Sequence, residues 1–314
     1  MSKKIFALIL FLVLLAALLF VSKQPERNSS TEKLQISTSF YPLYFFTSQI
    51  VGEQAVVLNL SRAGVDPHDF EPSISDLRSI SNSQLLVING LGFEAWLEKF
   101  ADQLGEQVTI LATAPDLAYL DGNNHYHEKD DHEEEEEHEE KDPHVWLDPV
   151  LARKQVELIS AKLIELDSDN ATYYRNNTEE LLGKLDQLDT EFKQGLVSCR
   201  QRNVVTAHAA FAYLAARYKL TQIAIQGLSH EEEPTPAKLA EVSHLAKTQD
   251  IKYIFFENLL SPKLAETIAT EVGAATLIFH PLENLTLAEE KSGADYFSLQ
   301  RQNLTNLRLA LQCS

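Results

Sequence analysis

Asp-Pro-His occurs twice in this chain, in GVDPHDFEPS at residues 64–73 and in KDPHVWLDP at residues 141–149. Each copy presents an imidazole, His68 or His144, directly after a proline that restrains the backbone, so each ring stands on a stiff loop. A third histidine, His208, closes the run NVVTAH; Glu257 follows KYIFF, and His280 and Glu283 follow ATLIF. One histidine at a strand end is ordinarily a hydrogen-bonding loop residue. Three at equivalent edges with a carboxylate at hand form the donor set of a borderline-soft divalent cation that takes nitrogen and oxygen and prefers four ligands, which describes zinc. Spacing leaves the fourth donor open among Glu257, His280 and Glu283. His280 and Glu283 are three apart, so an extended strand turns them to opposite faces, and only a turn at Pro281 lets both reach one ion.

Donors this far apart in sequence meet only if regular elements carry them to one place. From Leu34 the chain alternates short β-branched runs with helical patterns, the signature of βαβ units and parallel sheets. QISTSF, VVLNL, LLVING and VTIL read as strands of a first lobe, and NVVTAH, QIAIQGL, KYIFFEN and ATLIF as strands of a second. Pro42, Ser73 and Glu94 mark helix starts in the first lobe; Ser261-Pro262 opens and Gly273 ends a helix in the second. Asp148 and Pro149 supply the cap and first-turn proline of a helix reaching Leu166. A second helix runs from Ala171 to Ser198, with Leu181, Leu185, Leu188, Phe192 and Leu196 on one face. At about 1.5 Å per residue it extends roughly 42 Å, long enough to lie along both lobes as a strut. The expected architecture is therefore α/β: two parallel-sheet lobes, residues 33–168 and 199–314, joined by a long rigid helix at 169–198. In open parallel sheets the carboxyl-end loops line the binding crevice, which is where His68, His208 and Glu283 fall.

Composition narrows the partners. A net charge of -19 over 314 residues argues against nucleic acid and suits a protein that meets cations. The charge is concentrated between Asp121 and Asp142, where twelve acidic residues face Lys129 and Lys141. This segment lacks the apolar residues to form a core and reads as a loop, with His125, His127, His132 and His138 as auxiliary metal-collecting groups or, alternatively, as part of a solvated tether. At the N-terminus, Lys3 and Lys4 precede an apolar run from Ile5 to Val21, the layout of a signal peptide or membrane anchor within residues 1–30. The chain is thus expected outside the cytoplasm, periplasmic or extracytoplasmic, and membrane-associated if residues 5–21 are retained. The two cysteines of this exported chain, Cys199 and Cys313, read as a disulfide, with two free thiols as the alternative.

GVDPHDFEPS, NGLGFEAWL, DPHVWLDPVLA, VTAHAAFAYLAARY, GLSHEEEPTPAKLAEV and PLENLTLAEEKSGADYFSLQRQNLTNL together resemble the metal-binding proteins of ABC transporters in the cluster A-I family, and its zinc-specific branch most. The resemblance spans Leu34 to the C-terminus. It implies two lobes joined by a long helix, a monomer, Zn2+ held between the lobes, and delivery to an ABC permease and its ATPase. Residue by residue, it implies His68, His144 and His208 as ligands with Glu283 as the fourth and His280 in reserve. A third imidazole, where manganese-binding relatives place a carboxylate, favours zinc. His230 departs from the proline common in relatives and is read as a surface substitution; His244 has no assigned role. Two rivals stand beside this non-enzymatic carrier: a zinc hydrolase, which needs an open metal position, and a surface adhesin on the same scaffold. Because zinc needs neutral imidazoles, affinity is expected to fall as pH drops through roughly 6.5.

Overall fold

The computed structural model describes residues 33–105, 107–114, 117, 119–120, 126–127, 141–228 and 234–314, with backbone alone at 119–120 and 126–127. The N-terminal targeting segment, His125, His132, His138 and His230 lie outside the described residues, as does the side chain of His127. Among the described residues no helix is long and apolar enough to cross a membrane.

All eight expected strands form. β1 (Leu34–Thr38), β2 (Ala55–Asn59), β3 (Leu85–Ile88) and β4 (Thr109–Ala112) make a parallel sheet ordered β2-β1-β3-β4. The short strands β5 (Tyr119–Leu120) and β6 (Tyr126–His127) pair antiparallel. β7 (Asn203–Thr206), β8 (Thr221–Ala224), β9 (Tyr253–Phe256) and β10 (Ala275–Ile278) make a second parallel sheet ordered β10-β9-β7-β8. Each sheet reverses its strand order at the centre, between β1 and β3 and between β7 and β9, and the crevice at such a reversal is where α/β sheets bind ligands.

Period-two alternation explains how each sheet is covered on two sides. Leu85 and Val87 of β3 face the central core, whereas Leu86 and Ile88 face a smaller cluster with Ile80 and Trp96. Val204 and Phe255 likewise face the centre, whereas Val205 and Ile254 pack on Val242 and Ile268. Helix α1 (Tyr41–Val51) carries Pro42 in its first turn, and α2 (Ile74–Ser81) starts from a full capping box in which Ser73 and Asp76 bond each other's backbone. The short α3 (Ala95–Phe100) follows Glu94, whose side chain makes no cap bond.

Helix α4 (Pro149–Leu166) begins at Asp148, whose Oδ1 accepts the Val150 N–H at 2.9 Å. Helix α5 (Ala171–Leu196) ends two residues short of the expected boundary; its 26 residues extend about 39 Å. Its Tyr174, Leu181, Leu185, Leu188, Phe192 and Leu196 join the same cluster as residues of both sheets, so one apolar core runs through both lobes. The strut is embedded along its length, which stiffens the relation between the lobes beyond what a bare linker could. In the second lobe follow α6 (Ala212–Arg217), α7 (Pro236–Thr248), α8 (Lys263–Val272), α9 (Leu287–Ser292) and α10 (Tyr296–Ala310). Ser261 does not cap α8: Pro262 occupies that position without a side-chain bond, while Gly273 closes the helix in the left-handed conformation expected of it. Cys199, just beyond α5, is bonded to Cys313, just beyond α10, across 114 residues of sequence.

Candidate metal centre

The repeated Asp-Pro-His is a backbone device. Asp66 Oδ1 accepts the His68 N–H at 2.9 Å, and Asp142 Oδ1 accepts the His144 N–H at the same distance. Each aspartate thus closes a turn around the intervening proline and aims the following ring. Asp142 Oδ1 also accepts from His144 Nδ1 at 2.7 Å, and Glu257 Oε1 pairs directly with His208 Nδ1. A ring that gives its Nδ1 proton to a carboxylate presents its Nε2 lone pair, the tautomer a metal needs.

Three Nε2 atoms converge on one oxygen. Glu283 Oε1 lies 3.4 Å from His68 Nε2, 3.3 Å from His144 Nε2 and 3.5 Å from His208 Nε2. The four donor atoms lie within 4.8 Å of one another. The edge of a tetrahedron with bonds of about 2.0–2.1 Å measures about 3.4 Å, which the three distances to Glu283 Oε1 match. His144 and His208 are fully buried and Glu283 nearly so, while His68 retains 11% of its side-chain exposure. Water is therefore largely excluded and the donors are held before any ion arrives.

Charge around His144 and His208 raises their proton affinity. Burial penalises the charged form of His144, but Asp142 and then Glu283 outweigh it and hold its pKa above the ordinary value. In His208 burial is again outweighed, by Glu257 and Glu283, and the pKa is pushed up to about 10. A cation must therefore displace protons from the metal-free site well above pH 6.5, which moves the expected loss of affinity to higher pH than an unperturbed imidazole would set.

Of the three candidates for the fourth donor, Glu283 joins the three histidines. Glu257 instead orients His208. His280 is buried but not part of the cluster: its Nδ1 accepts the Leu282 N–H at 2.9 Å, which puts the ring proton on Nε2, and Nε2 faces Glu289 Oε1 at 3.4 Å. A ring locked in that tautomer has no inward lone pair. The turn at Pro281 does occur, with Leu282 at φ 58°, and it delivers Glu283 alone. Asn303 brackets the same turn, accepting the His280 N–H and donating to the His280 carbonyl, both at 2.8 Å. Trp146 Nε1 donates to Pro281 O at 2.8 Å.

Residue patterns did not reveal the supports of His144. Glu94, buried and raised in pKa by that burial, accepts from Ser39 Oγ at 2.7 Å, Asn89 N at 2.8 Å and Gly90 N at 2.9 Å. Asn89 Nδ2 then donates to Pro143 O at 2.9 Å, and Gln155 Nε2 donates to Asn89 Oδ1 at 3.0 Å. The only local signal was Asn-Gly at a strand end, which marks a turn and nothing about what it holds.

Comparison with known proteins places these residues in a wider setting. The sequence model of the family described as zinc-uptake complex component A, periplasmic (ZnuA), matches residues 36–310. The high-affinity zinc uptake system protein ZnuA of Bacillus subtilis (strain 168) is 37% identical over 291 residues, 92% of this chain and 91% of that protein. The zinc-binding lipoprotein AdcA of Streptococcus pneumoniae (strain R6) is 40% identical over 300 residues, 94% of this chain but 60% of AdcA, so the chain spans only part of that relative. The crystal structure of the Zn(II)-bound ZnuA-like domain of Streptococcus pneumoniae AdcA superposes with a TM-score of 0.75 at 38% identity, covering 89% of this chain and 99% of that one.

Proposed function

The chain belongs to the ZnuA family of periplasmic zinc-uptake components, and we propose that it captures Zn2+ on His68, His144, His208 and Glu283 and delivers it to an ABC importer, a permease with its ATPase. The convergence of three Nε2 atoms on Glu283 Oε1 at 3.3–3.5 Å carries this reading. Three imidazoles and one carboxylate match zinc's preference for mixed nitrogen and oxygen. The donors come from both lobes, so binding and release are coupled to how the lobes meet. Zinc is here the cargo, and the protein catalyses no reaction: four protein donors fill a tetrahedral shell and leave no position for the water a hydrolytic metal centre activates. The reading places the protein outside the cytoplasm as a monomer, with residues 5–21 as signal or anchor and His125, His127, His132 and His138 as collectors feeding the site.

Elemental analysis of the purified protein, followed by competition among zinc, manganese and cobalt, tests the proposal. Zinc is expected at one equivalent per chain with high affinity. His68→Ala, His144→Ala, His208→Ala and Glu283→Ala are each expected to weaken zinc binding by about 100-fold or more, since each removes one of four donors in direct contact with the ion. Tight binding that survives in all four variants would refute the ligand assignment. Metal-dependent turnover of an ester or phosphoester by the wild type, increased in Glu283→Ala, would favour the hydrolase instead.

A further inference from the structure

The turn that carries Glu283 also carries Asn284, whose side chain is buried and reaches into the other lobe. Its Oδ1 accepts the Leu285 N–H at 2.9 Å, which fixes the orientation of the amide. Nδ2 then faces acceptors only: Ser61 O at 3.3 Å, Ser61 Oγ at 3.0 Å, Arg62 O at 2.6 Å and Val65 O at 2.8 Å. A second link runs beside it, from the Gly64 N–H to Leu285 O at 2.7 Å. Gly64 sits at φ 83°, a conformation that favours glycine and lets the loop turn towards this contact. Three residues after Val65 comes His68, on the turn closed by Asp66.

Adjacent side chains of one turn therefore do two jobs: Glu283 meets His68 at the candidate metal position, and Asn284 holds the backbone from which His68 projects. His144 and His208 are enclosed, each with its Nδ1 on a buried carboxylate. His68 is the donor with residual exposure, and it borders a cavity of about 660 Å³ lined also by Asp69, Glu71, Phe93 and Pro143. Among the described cavities, this one gives His68 space to move into. The outer side of its loop is exposed at Arg62, Gly64 and Val65, so the loop is reachable from outside without disturbing the enclosed donors.

We propose that Asn284 is a positioning residue that latches residues 61–65 to the Glu283 turn, and that zinc leaves when this latch breaks and His68 swings into the adjoining cavity. The proposal rests on His68 and Glu283 being ligands. It assigns the dissociation rate to a contact that touches no metal.

Zinc-loaded protein mixed with excess chromogenic chelator gives the dissociation rate directly. Asn284→Ala is expected to release zinc about tenfold faster or more, since both N–H donors of the amide, shared among four acceptors, are lost. Asn284→Asp should release it faster still, because a carboxylate would face carbonyl oxygens. Ser61→Ala removes one acceptor of four and is expected to change the rate by about twofold, a milder variant should the aspartate not fold. In the zinc-free protein, Asn284→Ala should speed amide exchange in residues 61–68 while leaving β9 and β10 protected, which a general loss of stability would not do. Dissociation from Asn284→Ala at the wild-type rate overturns the latch if His68→Ala and Glu283→Ala have lost affinity; if those two bind zinc as the wild type does, the ligand assignment fails and the latch with it.

Discussion

Each imidazole in the cluster is paired with a carboxylate that never needs to touch the ion. Asp66 and Asp142 shape the backbone of their turns, while Asp142 and Glu257 also take a ring proton. Against the effect of burial, Asp142 with Glu283 raises the pKa of His144, and Glu257 with Glu283 brings that of His208 to about 10. With its pKa raised to about 10, the metal-free His208 ring holds a proton at neutral pH; zinc must displace it, so affinity increases with pH until the pKa is passed. Calorimetry in buffers of different ionisation enthalpy is expected to show proton release on zinc binding at about pH 7.5, with affinity still rising between about pH 7 and 9. Glu257→Gln keeps an acceptor for Nδ1 but removes the charge. It should reduce that proton release and weaken zinc binding by about 10- to 100-fold, the usual cost of losing such a partner. Release unchanged from wild type would show that Glu257 does not set the charge of His208. The histidines were readable as candidate donors because Asp-Pro-His and strand-end positions are local patterns. The division of labour among Glu257, His280 and Glu283 was not, since three carboxylate or imidazole side chains of similar reach differ only in which way the folded turns point them.

Elements hold these side chains through their ends. Asp148 caps α4 and also accepts from Arg217 Nε at 2.8 Å and Nη2 at 2.7 Å, joining the start of that helix to the end of α6. Since the segment from His144 runs straight into this cap, the cap fixes the downstream side of a proposed donor. Asp148→Ala is expected to lower the unfolding free energy of the zinc-free protein by about 2 kcal/mol, from a lost cap and a lost charged hydrogen bond, as read by urea denaturation. Asp148→Asn retains a capping oxygen and should cost about half as much; equal losses would show that the cap contributes nothing. Capping residues, first-turn prolines and the regularly spaced leucines of α5 are sequence-local, which is why the strands and the two central helices are legible in the residue pattern alone. Ser261 misled because a serine before proline has the same local look as a cap, and only the path of the chain into α8 decides whether its hydroxyl meets an amide.

Across the whole molecule, one core links both lobes through α4 and α5, and the disulfide between Cys199 and Cys313 ties the ends of α5 and α10. Closing so long a loop stabilises by about 5 kcal/mol in the chain-entropy argument. Replacing both cysteines with serine is therefore expected to lower the melting temperature while leaving zinc affinity within about twofold, because none of the candidate donors lies on the joined ends. A large loss of affinity in that variant would mean that the end clamp reaches the cleft. The α/β class, the two lobes, the long helix and the three histidines follow from residue order, because periodicity, capping and short turn motifs are written in neighbouring residues. Which carboxylate faces the histidines, which ones orient them, and that Asn284 joins the lobes beside them became definite through folding alone. Those are contacts between segments some 50 to more than 200 residues apart, and their geometry exists only once both sheets have packed on the shared core.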